Sequence, residues 1–514
     1  MADCYLMGVD LGTSSAKALV VGSDGAPMGL VTVDYPMSHP RPGWGEHDPS
    51  DFHASVVTAI RGVVRSAGVP VSDIVALAIV AQREPPVLLD THLEPLMPSI
   101  SWTDQRSAGE IERFGQSFGV QRYFDTVGLH PNAGSTLASL LWVKGNSPEL
   151  LERTRHILTP KDYVLFRLTR DILTDVSTPG RSGLLDIRTF AWSDDVCAAA
   201  GLDRRLLPRI AARSSDAWGA LDPEVARDLG LAPGTQIALG GGDDPSAAFG
   251  GGAIHEGDLC AGTGTASCWR IVSDARIPDP SGFTELAPHV VRDVTIREAS
   301  ITGTGSSMRW CRDELVPELS QAARRAGQDP YSHLISLAEE VEPGAGGVSF
   351  YPYLEGSLVP RFDPRATGVF HGITGGVTRR HLLRAVIEGI TFQYAMTADL
   401  LRAMGSRIEY LTVVDGEAQS ASWSQLKADV LGIEIRVPKI TRAAGLGAAM
   451  LAGMAAGVFT TAEEAAVAML GDQEAFYPDA ARHERYTAIR RRYDEIYSHI
   501  GAANDLPPTP AAIS

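Results

Sequence analysis

The chain has 514 residues, of which 44% are hydrophobic and 21% charged, and its 45 basic against 62 acidic side chains give a net charge of −17. This composition predicts a large globular protein of roughly two to four domains and excludes a disordered chain. The acidic excess argues against a nucleic-acid partner, which would need clustered Lys and Arg side chains. Five cysteines without C-x-x-C spacing indicate neither a disulfide framework nor structural zinc, so a reducing cytoplasm is the expected location.

The chain opens with three short apolar runs separated by turn residues. The predicted strands cover residues 5–10, 16–21 and 28–33. Ser23-Asp24-Gly25 predicts a tight turn between the last two, so the three strands form an antiparallel meander. Asp48-Pro49 predicts the start of a helix, because proline is tolerated in the first turn. The apolar run 74–81 predicts a strand buried on both faces.

A second copy of this pattern lies in the other half of the chain. Residues 260–266 repeat the order of strand, Gly-Thr turn and strand found at residues 10–16. The elements predicted after it are a helix at 378–404, a strand at 408–414, a helix at 420–431 and a strand at 433–437. Two similar α/β lobes with a ligand cleft between them are therefore expected. The predicted domains are residues 1–247 and 248–485, followed by a C-terminal helix and frayed tail over 486–514.

Residues 443–462 carry no charge and are about as long as a bilayer span. They consist mostly of Ala and Gly, which gain little from lipid and let helices approach closely. We therefore predict a buried, tightly packed helix and no membrane association. The start of the chain has no basic segment before its apolar residues, so no secretory signal is predicted either.

Residues 10–17 combine a carboxylate at a strand end with a turn of glycine and hydroxyl residues. Backbone N–H groups and hydroxyls in such a turn can cradle phosphate oxygens, and Asp10 can hold Mg²⁺ through water. A purely structural hairpin is the alternative for this turn alone. Its repeat at residues 262–265 favours two phosphate-binding turns, one in each lobe. The sequence has no G-x-x-x-x-G-K-[ST] segment, which excludes a P-loop.

Other polar residues follow predicted buried strands. Asp243 comes after a strand at 236–239 and three glycines, and a carboxylate there is the expected general base for an attacking hydroxyl. A structural Gly-Asp turn is the alternative. Gln82, Arg83 and Glu84 end the strand at 74–81, where strand ends usually face a ligand; a surface Arg-Glu pair is the alternative.

Trp102, Asp104, Gln105 and Arg106 form a second cluster of polar and aromatic residues. Such a cluster suits stacking on a polyhydroxyl ligand and hydrogen bonding to it. A packed tryptophan beside a salt-bridged Asp-Arg pair is an equal alternative.

Together these motifs resemble the FGGY family of carbohydrate kinases over about residues 6–457. The matching segments are residues 10–17 (D-x-G-T-[ST]-x-x-[KR]), 43–49 (G-W-x-E-x-D-P), 102–106 (W-x-D-x-R), 160–163 (P-K-D-Y), 241–244, and a C-terminal signature that runs from 415–418 to 446–449. The resemblance implies an α/β fold of two ribonuclease H-like lobes of the actin and hexokinase superfold. It also implies ATP-dependent phosphorylation of a hydroxyl on a small sugar.

The resemblance and the residue patterns together assign roles to individual positions. Asp243 is the implied catalytic base and, with Asp10, an implied Mg²⁺ ligand. The expected substrate-binding residues are Gln82, Arg83, Glu84, Trp102, Asp104, Asp243 and Asp244. The expected nucleotide-binding residues are Gly12, Thr13, Ser14, Ser15, Lys17, Gly262, Thr263, Gly264, Gly305, Gly416, Glu417 and Ala418.

Two residues depart from the family pattern. Glu417 stands where the family usually has a glycine beside the nucleotide, and a carboxylate there can crowd a phosphate or reshape the adenine subsite. Asp244 replaces the usual Asn or Gln beside the base, and its like charge is expected to raise the pKa of one of the two carboxyls.

The sugar subsite combines features of two branches of the family. Trp142 and Leu354-Glu355-Gly356 are nearest to the xylulokinases, whereas Gln82-Arg83-Glu84 resembles the glycerol kinases. A ketopentose such as D-xylulose is the favoured acceptor and a polyol the alternative. A catalytically impaired sensor and an ATPase of the same superfold are the alternatives from other classes. The expected partners are ATP and a small sugar or polyol, with a homodimer as the candidate assembly.

Overall fold

The computed structural model describes residues 4–291, 293–359, 363 and 365–504. Backbone contacts divide the chain into two compact units. The first contains the described residues of Met1–Glu256, Arg270–Glu298 and Arg442–Asp472, and the second those of Gly257–Trp269, Ala299–Thr441 and Gln473–Ser514. The boundaries predicted after residues 247 and 485 stay a prediction, because the units group residues by compactness and not by continuous segment. The predicted frayed tail lies outside the described residues from 505 onward.

The part of the chain before residue 257 contains most of the first unit. Its strands are β1 (Tyr5–Leu11), β2 (Ser15–Gly22), β3 (Pro27–Asp34), β4 (Glu46–His47), β5 (Ile74–Ala81), β6 (Val87–Leu89), β7 (Ser99–Ile100), β8 (His156–Leu158), β9 (Leu173–Thr174), β10 (Leu185–Asp186), β11 (Ala191–Trp192), β12 (Arg209–Ile210), β13 (Ala217–Ala220) and β14 (Gln236–Gly242). Its helices are α1 (Pro49–Ser66), α2 (Ala108–Phe118), α3 (Val120–Val127), α4 (Thr136–Asn146), α5 (Pro148–Arg153), α6 (Pro160–Thr169), α7 (Asp194–Ala200), α8 (Pro223–Leu229) and α9 (Asp243–Gly250).

The remaining elements follow from residue 259 onward. The strands are β15 (Leu259–Thr263), β16 (Ser267–Ser273), β17 (Glu285–Pro288), β18 (Thr295–Ile301), β19 (Ser349–Tyr351), β20 (Val369–His371), β21 (Tyr410–Asp415), β22 (Glu434–Val437) and β23 (Glu474–Phe476). The helices are α10 (Gly305–Trp310), α11 (Pro317–Arg325), α12 (Pro330–Glu339), α13 (Arg379–Ala403), α14 (Ala421–Leu431), α15 (Ala443–Ala455), α16 (Ala462–Leu470) and α17 (Ala480–Asn504).

The first unit is built on a sheet with the strand order β13-β14-β5-β1-β2-β3. β1, β2 and β3 form the predicted antiparallel meander. β5 runs parallel to both β1 and β14, and Leu11, Ala81 and Gly242 lie side by side in register. Because the three parallel strands end at the same level, the residues that follow them meet at one edge of the sheet.

Helix α1 begins where the sequence predicts. The Asp48 side chain accepts a hydrogen bond from the backbone N–H of Ser50 (2.8 Å), and Pro49 occupies the first turn. Phe52, Val56 and Ile60 are fully buried in the core of this unit, and α1 packs against β1, β2 and β3. The buried face of α1 therefore carries its apolar residues at helical spacing.

Helix α15 follows the second repeat in sequence but packs in the first unit, against β1, β5, β14 and α9. A Cβ atom on Gly447 would lie 2.0 Å from the carbonyl oxygen of Ser246, so only glycine permits this approach. The prediction of a buried, tightly packed helix is confirmed, but the helix ends at Ala455. The chain then leaves it at Gly457, whose φ of 72° suits glycine. Among the described residues, no helix is both long and apolar enough to cross a membrane.

The sheet that contains β15 repeats the pattern of the sheet that contains β1. β16, β15, β21 and β22 are neighbours in that order, as are β2, β1, β5 and β14. β21 is parallel to both β15 and β22, and Thr263 pairs with Asp415 at the carboxyl ends of β15 and β21. The prediction of two similar α/β lobes is confirmed, with β21, β22, α13 and α14 within about two residues of their predicted bounds.

We expect Gly447→Ala to lower the free energy of unfolding by about 1–3 kcal/mol, the usual cost of overpacking, because its Cβ would enter the backbone of α9. Gly445→Ala is the matched control in the same helix, since its Cβ would lie 3.8 Å from Leu19, an ordinary contact. Urea denaturation of both variants gives the comparison. Equal stability of the two variants would contradict the close approach of α15 to α9.

Candidate active site

The residues that leave β1, β5 and β14 lie together at the carboxyl edge of the first sheet. Asp10 stands at the end of β1. Gln82, Arg83 and Glu84 follow β5, and Asp243 and Asp244 open α9 directly after β14. Three motifs that are far apart in sequence therefore supply one cluster, as the sequence predicts from their positions at strand ends.

The turn between β1 and β2 is held by short local contacts. The backbone N–H of Gly12 donates to the carbonyl of Ser15 (3.0 Å), and the Tyr35 hydroxyl donates to the carbonyl of Gly12. Ser14 is exposed, whereas Ser15 is buried. An anion approaching the turn would therefore meet residues 12–14 first.

Lys17 pairs with Asp10 across the two strands, with 3.2 Å between the ammonium nitrogen and the carboxylate. The indole N–H of Trp102 donates to the hydroxyl of Thr13 (2.8 Å). Trp102 is 45% exposed, so one face of this turn is bordered by an accessible aromatic ring. The turn thus offers a cation, hydroxyls and an aromatic surface together.

Arg83 is the centre of the acidic cluster at this edge. Its side chain is 2% exposed, which excludes the surface pair considered from the sequence. Its Nη2 lies 2.8 Å from the Asp244 carboxylate, and its Nη1 lies 2.8 Å from Glu298. Its Nε lies 3.5 Å from Asp243. Each guanidinium nitrogen therefore faces a carboxylate, and the assignment of Arg83 to sugar binding stays a prediction.

The two neighbouring aspartates have opposite electrostatic environments. Partial burial and the negative charge of Asp244 raise the pKa of Asp243 well above its ordinary value, and Arg83 opposes the shift. Burial would also raise the pKa of Asp244, but the guanidinium groups of Arg270 and Arg83 outweigh it and lower that pKa. Asp244 therefore stays ionised. Its negative charge raises the pKa of Asp243, as the sequence predicts for one of the two carboxyls. Asp243, about one third exposed, is the carboxyl that can take up a proton.

A second arginine, Arg181, completes the cluster. It contacts Glu84 (3.3 Å), Glu298 (3.4 Å) and Glu285. With Asp243 and Asp244 counted, five carboxylates stand against the guanidinium groups of Arg83, Arg181 and Arg270 in the described part of this cluster. The sequence did not reveal Arg181, Arg270, Glu285 or Glu298, because only folding brings their distant segments here.

Asp104 and Trp102 have separate environments. Asp104 is buried and accepts hydrogen bonds from the backbone N–H of Gly45 (2.6 Å) and from the guanidinium of Arg106 (2.7 Å). The salt-bridged Asp-Arg pair of the alternative interpretation is therefore present, whereas Trp102 is 45% exposed. Arg106 also lies 3.5 Å above the Trp44 ring and contacts Glu46 (2.7 Å). A role of Asp104 in sugar binding stays a prediction.

The second unit contains a cavity of about 360 Å³ beside the turn that follows β15. It is lined by Thr263, Gly264, Gly305, Met308, Arg309, Asp329, Tyr331, Ser332, Ile335, Gly416, Glu417, Gln419, Ser420 and Trp423. Five of the predicted nucleotide-binding residues therefore line this cavity. Gly262 is buried within β15, and Ala418 lies in the short helical turn Gly416–Gln419. Arg309 and the α12 residues were not predicted, since they belong to no recognised motif.

The Glu417 carboxylate is buried in the wall of this cavity. It accepts hydrogen bonds from the Thr263 hydroxyl (2.6 Å) and the Tyr394 hydroxyl (3.1 Å), and it lies 2.7 Å from the Lys427 ammonium. Burial lowers the pKa of Lys427, and the charge of Glu417 opposes that shift. The carboxylate is thus paired within the wall and is not free to repel a phosphate.

Among the described residues, no three His, Cys, Asp or Glu side chains are grouped to hold a metal ion. A Mg²⁺ ion that arrives with a nucleotide needs only one or two carboxylates, because phosphates and water supply its other ligands. Asp10 and Asp243 are oxygen donors near enough for Asp10 to raise the pKa of Asp243. The donor set therefore fits Mg²⁺.

Comparison with known proteins identifies relatives along almost the whole chain. The model of the FGGY family of carbohydrate kinases matches residues 5–250 with its N-terminal domain and 259–456 with its C-terminal domain. The chain is 30% identical to the xylulose kinase of Bacillus subtilis over 96% of this chain and 97% of that protein. It is 26% identical to the gluconokinase of Bacillus licheniformis over 88% of each. The ligand-bound xylulose kinase of Lactobacillus acidophilus matches with a TM-score of 0.87 at 24% identity, over 97% of this chain and 99% of that one.

We expect Lys427→Met to lower the free energy of unfolding by about 3–5 kcal/mol, because the buried Glu417 carboxylate would lose its counter-ion. The double variant Glu417→Gln/Lys427→Met should recover most of this loss, since it leaves no unpaired buried charge. Chemical denaturation of the two variants is the measurement. If Lys427→Met were as stable as the double variant, the ion pair would contribute nothing to the free energy of unfolding.

Proposed function

This chain is a member of the FGGY family of carbohydrate kinases, with the two-domain α/β fold of the actin and hexokinase superfold, and we propose that it phosphorylates a neutral ketopentose, D-xylulose, with ATP. The observation that carries the proposal is the carboxyl of Asp243. It is partly exposed at the carboxyl edge of the first sheet, its pKa is raised, and it lies at the same edge as the turn of residues 10–17.

In the proposed reaction, a sugar hydroxyl attacks the γ-phosphorus of ATP and its proton passes to Asp243. The new O–P bond forms as the bond to the ADP oxygen breaks, and the protonated carboxyl later releases the proton to water. A raised pKa suits this role, because a general base works best when its pKa approaches the working pH. Asp10 and Asp243 would hold the Mg²⁺ that accompanies ATP, and that ion would neutralise phosphate charge.

The second unit supports nucleotide binding. Its cavity of about 360 Å³ has the size of a small-molecule site. Arg309 lines this cavity and can pair with a phosphate. The backbone N–H of Gly264, which also lines the cavity, already donates to the carbonyl of Ala266 (3.1 Å). Tyr331, Ile335 and Trp423 supply apolar surface for a base. The Thr263 hydroxyl donates a hydrogen bond to Glu417, so we assign phosphate contacts to Arg309.

The charge of the acidic cluster at the carboxyl edge of the first sheet favours a neutral sugar acceptor over a sugar acid. Arg83, Arg181 and Arg270 all contact carboxylates, and carboxylates outnumber them in the described cluster. A carboxylate substrate would add negative charge to this surplus, whereas sugar hydroxyls can donate hydrogen bonds to it. The gluconokinase relatives are therefore the less suitable guide to the substrate. A polyol is the second candidate, because it is also neutral and Gln82-Arg83-Glu84 resembles the glycerol kinases.

Location and assembly belong to the proposal as well. None of the five cysteines, all of which the structure describes, forms a disulfide, which supports a reducing compartment such as the cytoplasm. A homodimer stays a prediction.

We expect ADP release, followed in a coupled assay, to depend on sugar and to rank D-xylulose above glycerol and erythritol, with gluconate lowest in kcat/KM. Each acceptor is tested at saturating ATP, and a reaction without sugar gives the basal hydrolysis. Gluconate as the best acceptor would refute the charge argument. ATP hydrolysis at the same rate without sugar would indicate the ATPase alternative instead.

Asp243→Asn should lower kcat by about 10²- to 10⁴-fold, the usual contribution of a general base, while nucleotide binding is retained. Single-turnover assays and ATP titration of the variant separate the two properties. Turnover near that of the wild type would remove Asp243 from the proposed reaction.

Asp244→Asn should move the acidic limb of the pH profile of kcat/KM to lower pH. Activity requires the ionised form of Asp243 and is lost as the pH falls through its pKa. Removal of the neighbouring negative charge lowers that pKa, so activity should persist to lower pH than in the wild type. Asp244→Glu keeps the charge and is the control. An unchanged limb in Asp244→Asn would contradict the coupling of the two carboxyls.

A further inference from the structure

The segment Pro160–Tyr163 matches the family pattern, but the proposed reaction gives it no role. Lys161 and Asp162 lie in the first turn of α6, and Asp175 lies after β9. All three charged side chains are buried, with at most 1% exposed. Buried charges are costly unless they are paired and hydrogen-bonded. Such a cluster beside the candidate base needs an explanation.

The explanation begins with an irregularity in β14. Its pairing with β5 shifts register between Ala238 and Gly241, a β-bulge that ends one residue before Gly242. Gly240 within it has a φ of 67°, and a Cβ there would lie 1.8 Å from the carbonyl oxygen of Ile79. Backbone groups that a bulge removes from the ladder need other partners when they are buried.

One side chain holds a carbonyl of the bulge, and a second holds the strand end that follows it. The Lys161 ammonium donates to the carbonyl of Leu239 (3.2 Å), which lies within the bulge. The Ser177 hydroxyl oxygen accepts a hydrogen bond from the backbone N–H of Gly242 (2.9 Å), which follows the bulge. The last residues of β14 are therefore held by two side chains, immediately before Asp243.

Asp175 connects these two contacts. Its Oδ1 lies 3.3 Å from the Lys161 ammonium, and its Oδ2 accepts hydrogen bonds from the backbone N–H and the hydroxyl of Ser177. Because the Ser177 proton points to Asp175, a lone pair of the Ser177 oxygen is left for the N–H of Gly242. The carboxylate thus sets the direction of the hydroxyl that holds the strand end.

We propose that Lys161, Asp175 and Ser177 are positioning residues that fix the bulged end of β14 and thereby aim the Asp243 carboxylate. The proposal rests on the proposed function of Asp243 as the base. A displacement of a catalytic group by about 1 Å can cost up to about 10²-fold in rate, even when substrate binding is intact. Loss of the hydrogen bonds made by Lys161, Asp175 and Ser177 should therefore lower kcat more than it changes the KM for sugar or for ATP.

The test compares two serines that donate to the same carboxylate. The Ser214 hydroxyl is buried and donates to Asp175 Oδ2 (2.8 Å), and within the described residues it makes no hydrogen bond to β14. Ser177→Ala should lower kcat by about 10- to 100-fold, with both KM values within about twofold of the wild type. Ser214→Ala should keep kcat within about threefold, although it also removes one hydrogen bond from Asp175.

Hydrogen exchange gives a second readout that does not depend on catalysis. A peptide covering residues 236–245 should exchange faster in Ser177→Ala than in Ser214→Ala, because only the former frees the Gly242 N–H. Ser177→Cys, in which a weak acceptor replaces the hydroxyl, is measured in parallel and replaces the alanine variant if that variant does not fold. It should show the same loss of kcat.

The outcomes distinguish this inference from the proposed function. An inactive Asp243→Asn variant together with wild-type kcat in Ser177→Ala would overturn the positioning role and leave the proposed base in place. Equal losses of kcat in Ser177→Ala and Ser214→Ala would also overturn it, because a general loss of structure would explain both. An active Asp243→Asn variant would instead refute the proposed function.

Discussion

One buried guanidinium, that of Arg83, determines the charge arrangement at the carboxyl edge of the first sheet. It contacts Asp243, Asp244 and Glu298, and it could not lie there if Gly242 carried a side chain, since a Cβ would be 2.4 Å from the Arg83 Cδ. Two features of the chain therefore depend on each other. Without the glycine the arginine has no space, and without the arginine two adjacent aspartates would repel each other.

The sequence predicted the parts of this edge that depend on local order. Asp10, Arg83 and Asp243 were found because each ends a strand that is recognisable by its apolar residues, and parallel strands in register bring such ends together. Arg181 and Arg270 were not found. No local signal indicates them, because their roles come from contacts with residues about 26 to 104 positions away in sequence.

For other residues the sequence indicated a role but did not predict the tertiary contacts. Glu417 was expected beside a phosphate, yet its carboxylate is buried against Lys427 and Tyr394, which lie on α14 and α13. The Ala-rich helix α15 was correctly predicted as buried, but its place against β1 follows from the glycines at the contact. The sequence identifies a residue and the helix or strand that contains it. The residues that neutralise its charge or pack against it are determined by the tertiary structure.

The asymmetry between Asp243 and Asp244 follows from the same constraint. Both carboxyls are partly buried, so desolvation alone would raise both pKa values. Asp244 contacts two guanidinium groups, whereas Arg83 is 3.5 Å from Asp243 through Nε. The closer charges keep Asp244 ionised, and its negative charge then raises the pKa of Asp243 further. A pair of like residues is thereby divided into one permanent charge and one proton acceptor, which is the division that acid-base chemistry at a single site requires.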